Sequence, residues 1–177
     1  MLVLVVGPSG AGKDTLLSMA RTALADDSRI RFVRRVITRP AGAGGEDHEP
    51  VSDTEFAARK FLLSWEAHGL RYGIPADVAD DIARGMVVVA NVSRSVIAEA
   101  ATKFPVRVIE VTAPAQVLEA RLSARGRESA ADVTQRLARR IPLPHGIELA
   151  TVVNASLPEA GAAQLLAHLA RVLRGCS

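Results

Sequence analysis

The sequence contains little cysteine, few aromatic residues and almost no lysine. Cys176 is the only cysteine among 177 residues, which excludes an intramolecular disulfide and fits a reducing compartment. Aromatic residues make up 3% of the chain, so we expect a core of Val, Leu, Ile and Ala. A chain of this length can bury one core well, and we predict a single domain over residues 1–177.

Lysine occurs only at Lys13, Lys60 and Lys103, so arginine carries nearly all of the positive charge. Clustered arginines would fit an anionic ligand, because the guanidinium group binds phosphate and carboxylate through paired hydrogen bonds; a high-GC genome would give the same composition. No basic block is interleaved with aromatic residues, so we expect no nucleic-acid partner. The first apolar run has no basic leader and stops at Gly7, so we expect a cytoplasmic protein with no signal peptide and no membrane partner.

Apolar residues follow a pattern of alternating strands and helices. Short runs rich in valine predict buried strands at residues 2–6, 86–92, 106–111 and 149–153, and a mixed run at residues 31–37 predicts a fifth. Helical spacing occurs at residues 14–25, 76–84, 93–103, 114–124 with a continuation through 130–140, and 162–173. The alternation predicts an α/β fold with a five-stranded parallel sheet and helices on both faces. Two insertions interrupt it, at about residues 38–75 and at about residues 125–132.

The first predicted strand is followed by a glycine-rich loop and then by a predicted helix. Gly7, Gly12 and Lys13 satisfy the G-x-x-x-x-G-K pattern of a phosphate-binding loop in this context. Glycines let backbone N–H groups point at phosphate oxygens, the helix adds its N-terminal dipole, and the lysine supplies a charge near the β and γ phosphates. The pattern predicts an ATP site formed by Gly7, Pro8, Ser9, Gly10, Ala11, Gly12, Lys13, Asp14 and Thr15.

Asp14 stands where Ser or Thr usually follows the lysine of this loop. A carboxylate is a good ligand for Mg²⁺, so Asp14 and the adjacent Thr15 are the candidate metal ligands. A second interpretation is that Asp14 caps the following helix, and the two roles are compatible. Beside a triphosphate, its negative charge would require the metal ion or a neighbouring arginine.

The order of strand, phosphate loop, helix, strand ending in Thr38-Arg39, acidic insertion and later R-x-x-x-R-G resembles the guanylate kinase group of nucleoside monophosphate kinases over almost the whole chain. The resemblance implies that Thr38, Arg39 and Tyr72 hold the phosphate of the acceptor. It also implies that Arg121, Arg125 and Arg136 hold the transferring phosphoryl group, so that with Lys13 of the loop they are the candidate catalytic residues. The insertion at 38–75 is then the acceptor-binding segment and residues 125–132 form a lid of a P-loop kinase domain.

The carboxylates with which a guanylate kinase reads guanine are missing. Ser64 precedes Trp65, and Asn91 and Ser93 occupy the end of the third strand, where the group has acidic residues. Guanine N–H donors would remain unpaired in such a site, and this costs specificity heavily. We therefore expect GMP to be a poor acceptor.

The chain is instead similar to the ribose 1,5-bisphosphate phosphokinases, which also carry Asp after the loop lysine. The segments that carry this resemblance are residues 35–39, 46–48, 64–65, 68–69, 72–73, 91–94 and 125–128. The resemblance implies transfer of a phosphoryl group from ATP, with Mg²⁺, to ribose 1,5-bisphosphate, a phosphorylated sugar, giving 5-phospho-α-D-ribose 1-diphosphate in phosphonate degradation. Replacing a base by a second phosphate calls for cations and groups that bind hydroxyls. The candidate substrate-binding residues are Arg35, Thr38, Arg39, His48, Tyr72, Asn91, Ser93 and Arg94.

Several of these candidates also have a purely structural interpretation. Arg35 and Arg94 could be surface residues, His48 an exposed loop histidine and Asn91 a strand-end cap. Two other functions stay open for the whole chain, a nucleoside monophosphate kinase of altered specificity and a guanylate kinase-like module that only binds partners. The binding-only module is disfavoured, because Gly12, Lys13, Arg121 and Arg125 are all present.

Overall fold

The computed structural model describes residues 1–42, 46–123 and 146–175. The strands in these ranges are β1 Leu2–Val6, β2 Ile30–Phe32, β3 Arg35–Ile37, β4 His48–Pro50, β5 Phe61–Ala67, β6 Leu70–Pro75, β7 Val87–Asn91, β8 Val106–Thr112 and β9 Glu148–Val153. The helices are α1 Lys13–Ala23, α2 Asp53–Ala57, α3 Val78–Ala83, α4 Ile97–Lys103, α5 Ala115–Ser123 and α6 Pro158–Gly175, with a 3₁₀ helix at Arg94–Val96.

Five strands form a parallel sheet in the order β2-β7-β1-β8-β9. The central strand β1 is buried along its whole length. Because side chains alternate along a strand, Val3 and Val5 join the core under α1 and α6, whereas Leu2, Leu4 and Val6 join a second core with α3, α4 and the strands β5 and β6. Burial on both faces explains why β1 and β7 read as continuous apolar runs.

The strand order changes direction at β1. Strand β1 pairs with β7 on one side and with β8 on the other, and both pairs are parallel. The carboxyl ends of parallel strands lie at one edge of the sheet, and ligands of open α/β folds bind in the crevice where the strand order reverses. The loop after β1 and the residues after β7 and β9 therefore meet at the expected edge.

The insertion predicted at about residues 38–75 forms a smaller sheet together with β3, which directly precedes it, in the order β4-β3-β6-β5. Strands β5 and β6 form a hairpin, and His68 and Gly69 in its turn have φ angles of 54° and 68°. Helix α2 begins with a capping box, in which the Ser52 hydroxyl accepts from the Glu55 N–H and the Glu55 carboxylate accepts from the Ser52 N–H. The insertion is thus a folded unit with its own hydrogen bonds.

The prediction of a parallel five-stranded sheet with helices is confirmed, but the single strand predicted at residues 31–37 is wrong. This run forms two strands, β2 in the parallel sheet and β3 in the smaller sheet. The Val33 N–H still donates to Val89 O at 2.9 Å, whereas the Arg34 side chain pairs with Asp47, so the chain leaves the first sheet between these residues. The predicted lid at 125–132 and the helical stretch at 130–140 lie outside the described residues.

No helix in the described ranges combines the length and the apolarity that crossing a membrane requires.

Candidate active site

Gly7, Gly10 and Gly12 of the phosphate loop after β1 have positive φ angles, and at two of these positions a side chain would also collide with its surroundings. Gly7 has φ 145°, and a Cβ atom there would lie 2.0 Å from the Val111 carbonyl oxygen. Gly12 has φ 86°, and a Cβ atom there would lie 2.4 Å from Asn154 Nδ2. Any other side chain would have to displace β8 or Asn154, so the glycines of the motif are explained by the packing beneath the loop.

Two cationic side chains contact the carbonyl groups of this loop. Lys13 Nζ donates to Gly7 O at 2.8 Å and to Pro8 O at 2.9 Å, which holds the ammonium group against the start of the loop. Arg121, in α5, donates from Nη1 to Asn154 O at 3.1 Å and to Gly10 O at 3.4 Å. Both predicted catalytic cations that lie in the described residues are therefore next to the loop.

Asn154 also contributes to this site, although it belongs to no motif of the sequence. It is 3% exposed, its Nδ2 donates to Ala11 O at 2.8 Å, and its own N–H donates to Thr112 O at 2.7 Å. The side chain thus ties the residue after β9 to the middle of the loop. Its place directly after a predicted strand could have indicated this role, because the residue that follows a parallel strand lies at the edge of the sheet where ligands bind.

Asp14, in the first turn of α1, points its carboxylate across the crevice. Oδ1 accepts a hydrogen bond from Asn91 Nδ2 at 2.8 Å and lies 3.8 Å from Arg35 Nη2. The N-cap of α1 is Gly12, so Asp14 is an acidic residue of the first helical turn and not the cap itself. The neighbouring arginine that its negative charge requires is present.

Asp14, Thr15 and Asn91 carry oxygen atoms of the kind that a magnesium ion takes as ligands. Asn91 is 7% exposed, and its Oδ1 is buried without a hydrogen-bond partner among the described residues. The Asp14 carboxylate is bonded to the same amide, and Thr15 is exposed one residue further along α1. Mg²⁺ takes oxygen ligands and usually only one or two carboxylates from the protein, so this set is suitable.

Arg35, Arg39 and Tyr72 come together on the smaller sheet. Arg35, only 9% exposed, places its guanidinium carbon 5.5 Å from the centre of the Tyr72 ring, and Arg39 Nη2 donates to the Tyr72 hydroxyl at 3.3 Å. Trp65 stacks on the Tyr72 ring with a distance of 5.4 Å between the ring centres. We call Arg35, Arg39 and Tyr72 the acceptor cluster; the sequence predicted these three residues to bind substrate, and the fold brings them together.

Thr38 and His48 are engaged by protein groups. The Thr38 hydroxyl accepts from the Arg71 N–H at 2.9 Å, which fixes the end of β3 to β6. His48 is 5% exposed, with Nδ1 lying 3.0 Å from Glu46 O and Nε2 lying 3.2 Å from Arg39 O. His48 is therefore not an exposed loop histidine, and this geometry assigns it to the support of the acceptor cluster.

Ser93 and Arg94 also bond within the protein. The Ser93 hydroxyl accepts from the Ser95 N–H at 3.2 Å and caps the 3₁₀ helix. Arg94 pairs with Glu110 of β8, and both side chains are largely buried. Arg94 is therefore not a solvated surface residue, and its charge is balanced by that carboxylate.

Asp47 connects the insertion to the rest of the molecule. Its carboxylate lies 2.9 Å from Arg21 Nη1 in α1 and 2.8 Å from Arg34 Nε ahead of β3. The hydrogen bond from Arg21, helped by the charge and hydrogen bond of Arg34, lowers the pKa of Asp47. The catalytic candidates Arg125 and Arg136 lie outside the described residues.

Comparison with known proteins agrees with this geometry. The chain is 54% identical to ribose 1,5-bisphosphate phosphokinase PhnN of Acidiphilium cryptum over 170 residues, which cover 96% of this chain and 92% of that protein. The chain belongs to the ribose 1,5-bisphosphate phosphokinase family. The resemblance predicted from residues 35–39, 46–48 and 91–94 is thereby confirmed.

A second relative of this family is larger. The chain is 51% identical to a bifunctional ribose 1,5-bisphosphokinase-thymidine phosphorylase of Cupriavidus pinatubonensis over 91% of its own length, but it spans only 28% of that protein. A family model described as an AAA domain matches residues 2–141. A guanylate kinase structure from Anaplasma phagocytophilum superposes with a TM-score of 0.67 at 19% identity, covering 97% of this chain and 85% of that one. The last match establishes the guanylate kinase-like fold.

Proposed function

We propose that this chain transfers the γ-phosphoryl group of ATP to ribose 1,5-bisphosphate, giving 5-phospho-α-D-ribose 1-diphosphate and ADP, as a step of phosphonate degradation. The bond between the γ phosphorus and the β-γ bridging oxygen breaks, and a new bond forms to an oxygen of the acceptor's 1-phosphate. The names of the family members support this reaction. The substrate is a small phosphorylated sugar, and the reaction needs neither nucleic acid nor membrane.

The observation that carries the proposal is the link between the phosphate loop and the acceptor cluster. Asp14 follows the loop lysine, and its carboxylate lies 3.8 Å from Arg35 of the cluster. The two positions that would recognise a base, Ser64 and Asn91, carry no carboxylate. Ser64 is exposed on β5, and Asn91 is hydrogen-bonded to Asp14. A site with two arginines and no base reader suits an acceptor that is rich in phosphate and lacks a base.

The reaction needs no general base, because a phosphate monoester with a second pKa near 6 is mostly dianionic at pH 7. The protein has to align the two phosphates and offset their charge. In the proposal Lys13 and Arg121 neutralise the transferring group from the donor side, together with Arg125 and Arg136. Arg35, Arg39 and Tyr72 hold the acceptor, with Thr38, His48, Ser93 and Arg94 maintaining the shape of its site.

Asp14, Thr15 and Asn91 Oδ1 would hold Mg²⁺. Bound there with ATP, the ion would neutralise charge on the β and γ phosphates. Asp14 would then serve both the metal and Arg35, and this explains why an acid is tolerated after the loop lysine.

The test is an ADP-release assay with ATP and Mg²⁺ in which ribose 1,5-bisphosphate, GMP, AMP and no acceptor are compared. We expect release only with ribose 1,5-bisphosphate, and phosphorus NMR should show a new diphosphate at carbon 1. GMP as the best acceptor would instead identify a nucleoside monophosphate kinase of altered specificity. No transfer to any acceptor, with ATP still bound, would favour the binding-only module.

A further inference from the structure

Glu46 lies between the two arginines of the acceptor cluster. Its side chain is 13% exposed, and each carboxylate oxygen faces a different guanidinium group. Oε1 accepts from Arg35 Nε at 2.7 Å and is also paired with Arg35 Nη2, whereas Oε2 lies 3.8 Å from Arg39 Nη1. Arg35 is therefore hydrogen-bonded to Glu46, and Arg39 is attracted to it without a direct hydrogen bond.

The backbone around Glu46 is held to the same residues. His48 bridges the two chain segments, because its ring nitrogens lie 3.0 Å from Glu46 O and 3.2 Å from Arg39 O. The next residue, Asp47, is paired with Arg21 and Arg34. The position of the Glu46 carboxylate is thus determined from both sides, by the imidazole ring and by the anchoring of Asp47 to α1.

Two guanidinium groups on one ligand site repel each other unless an anion lies between them. Glu46 supplies that anion from the protein, and it leaves some N–H donors of each guanidinium group available. Arg35 uses Nε and Nη2 in its pair with Glu46, and Arg39 donates from Nη2 to the Tyr72 hydroxyl. Each guanidinium has five N–H donors, so further donors remain for a phosphate.

We propose that Glu46 is a positioning residue of the acceptor site, whose carboxylate holds Arg35 and Arg39 in the arrangement that binds the acceptor's phosphate. The inference rests on the proposed function, because it names the residue that prepares that same site. Glu46 acts through the arginines and takes no part in the transfer itself.

The decisive variant is Glu46→Gln, which keeps the size of the side chain and removes its charge. We expect the KM for ribose 1,5-bisphosphate to rise about tenfold or more, because the arginines lose the anion that orients them. The KM for ATP and kcat should change by less than about twofold, since the phosphate loop is held by other contacts. A lower KM for the acceptor would overturn the proposal, because Glu46 would then be competing with the substrate's phosphate.

Glu49→Gln is the matched control. Glu49 lies in the same insertion, but its side chain is 41% exposed and pairs with the exposed Arg59. This variant should keep the acceptor KM of the native enzyme. Glu46→Asp is a second test in case the glutamine variant does not fold: it keeps the charge but shortens the reach, so an acceptor KM equal to the native value would also overturn the proposal.

Binding can be measured apart from catalysis, because Trp65 is the only tryptophan of the chain and stacks on Tyr72. Titration with inorganic phosphate should change its fluorescence, and Glu46→Gln should raise the midpoint about tenfold. If the native enzyme fails on ribose 1,5-bisphosphate while this shift is observed, the proposed function fails and the role of Glu46 stands. No response in the native protein, or equal midpoints in native and variant, would refute the role of Glu46 whatever the reaction is.

Discussion

The phosphate loop and the acceptor cluster face each other across Asp14, yet they are held in place in different ways. The loop depends on backbone geometry: Gly7 and Gly12 have positive φ angles, and loop carbonyls are bonded by Lys13 and Arg121. The acceptor cluster depends on ion pairs, in which Glu46 contacts Arg35 and Arg39.

This difference has a consequence for ligand binding. A loop made from backbone N–H groups recognises phosphate without needing any particular neighbour to be charged. A cluster of arginines and carboxylates is sensitive to each charge, because removing one partner leaves the other buried and unbalanced. Variants on the two sides should therefore separate the KM for ATP from the KM for the acceptor.

The largest expected effect is that of Lys13→Ala, in the phosphate loop that binds the phosphoryl donor ATP. Loss of the ammonium group removes a preorganised charge from the transferring phosphates, and we expect kcat/KM to fall about 10²- to 10³-fold. Single-turnover rates measure the loss, and circular dichroism should show an unchanged fold.

Lys103→Ala is the control for that experiment. Lys103 is an exposed residue at the end of α4 that pairs with Glu99, so its removal should leave the rate unchanged. A Lys13→Ala enzyme that turns over at the native rate would refute the assignment of the loop.

An intermediate effect is expected on the acceptor side, with Arg39→Ala. A hydrogen bond to a charged group is worth about 1.5–3 kcal/mol, so the acceptor KM should rise roughly ten- to a hundredfold. The KM for ATP should stay close to the native value, as measured by varying each substrate at saturation of the other. Arg59→Ala, which breaks an exposed pair in the same insertion, is the control. An equal rise in both KM values would show that the two sides of the site are not separable.

The ATP-binding phosphate loop could be predicted from the sequence because the residues that form it are contiguous. Residues 7–13 contain the glycines and the lysine, and the strand before them and the helix after them follow from apolar spacing. Four of the five parallel strands, β1, β7, β8 and β9, were predictable for the same reason, because each is a short run rich in valine. The family resemblance supplied Arg35, Arg39 and Tyr72 as candidates.

The arrangement of the acceptor cluster could not be predicted, because it depends on contacts between residues that are distant in the chain. Nothing local distinguishes an arginine that binds substrate from Arg94, whose partner is Glu110. Glu46 was visible as part of the motif at 46–48, but its contact with Arg35 exists only because β3 and β4 are neighbours. The split of residues 31–37 between two sheets likewise depends on tertiary pairing, which overrides the local strand preference.

The smallest expected effect concerns Asp47, which ties the insertion to α1. Its pKa is lowered in the folded state, mainly by the hydrogen bond from Arg21, so the ionised carboxylate is the stabilising form. The stabilisation is therefore fully present above the unfolded-state pKa of about 3.9 and disappears as the pH falls through the lower, folded-state pKa. Both partners are about half exposed, so the pair is screened by solvent. Asp47→Asn should lower the melting temperature at pH 7 by about 1–4 °C.

The pH dependence of that difference is the sharper measurement. Melting curves of native protein and Asp47→Asn should converge as the pH is lowered below about 4, because the native carboxylate then becomes neutral as well. Asp26→Asn, at an exposed position after α1, should melt like the native protein throughout. If the Asp47 variant also raised the acceptor KM a few fold while leaving the KM for ATP unchanged, the anchoring of the insertion would be part of acceptor binding. An unchanged acceptor KM would instead mean that the contacts of Glu46 and His48 hold the cluster without help from α1.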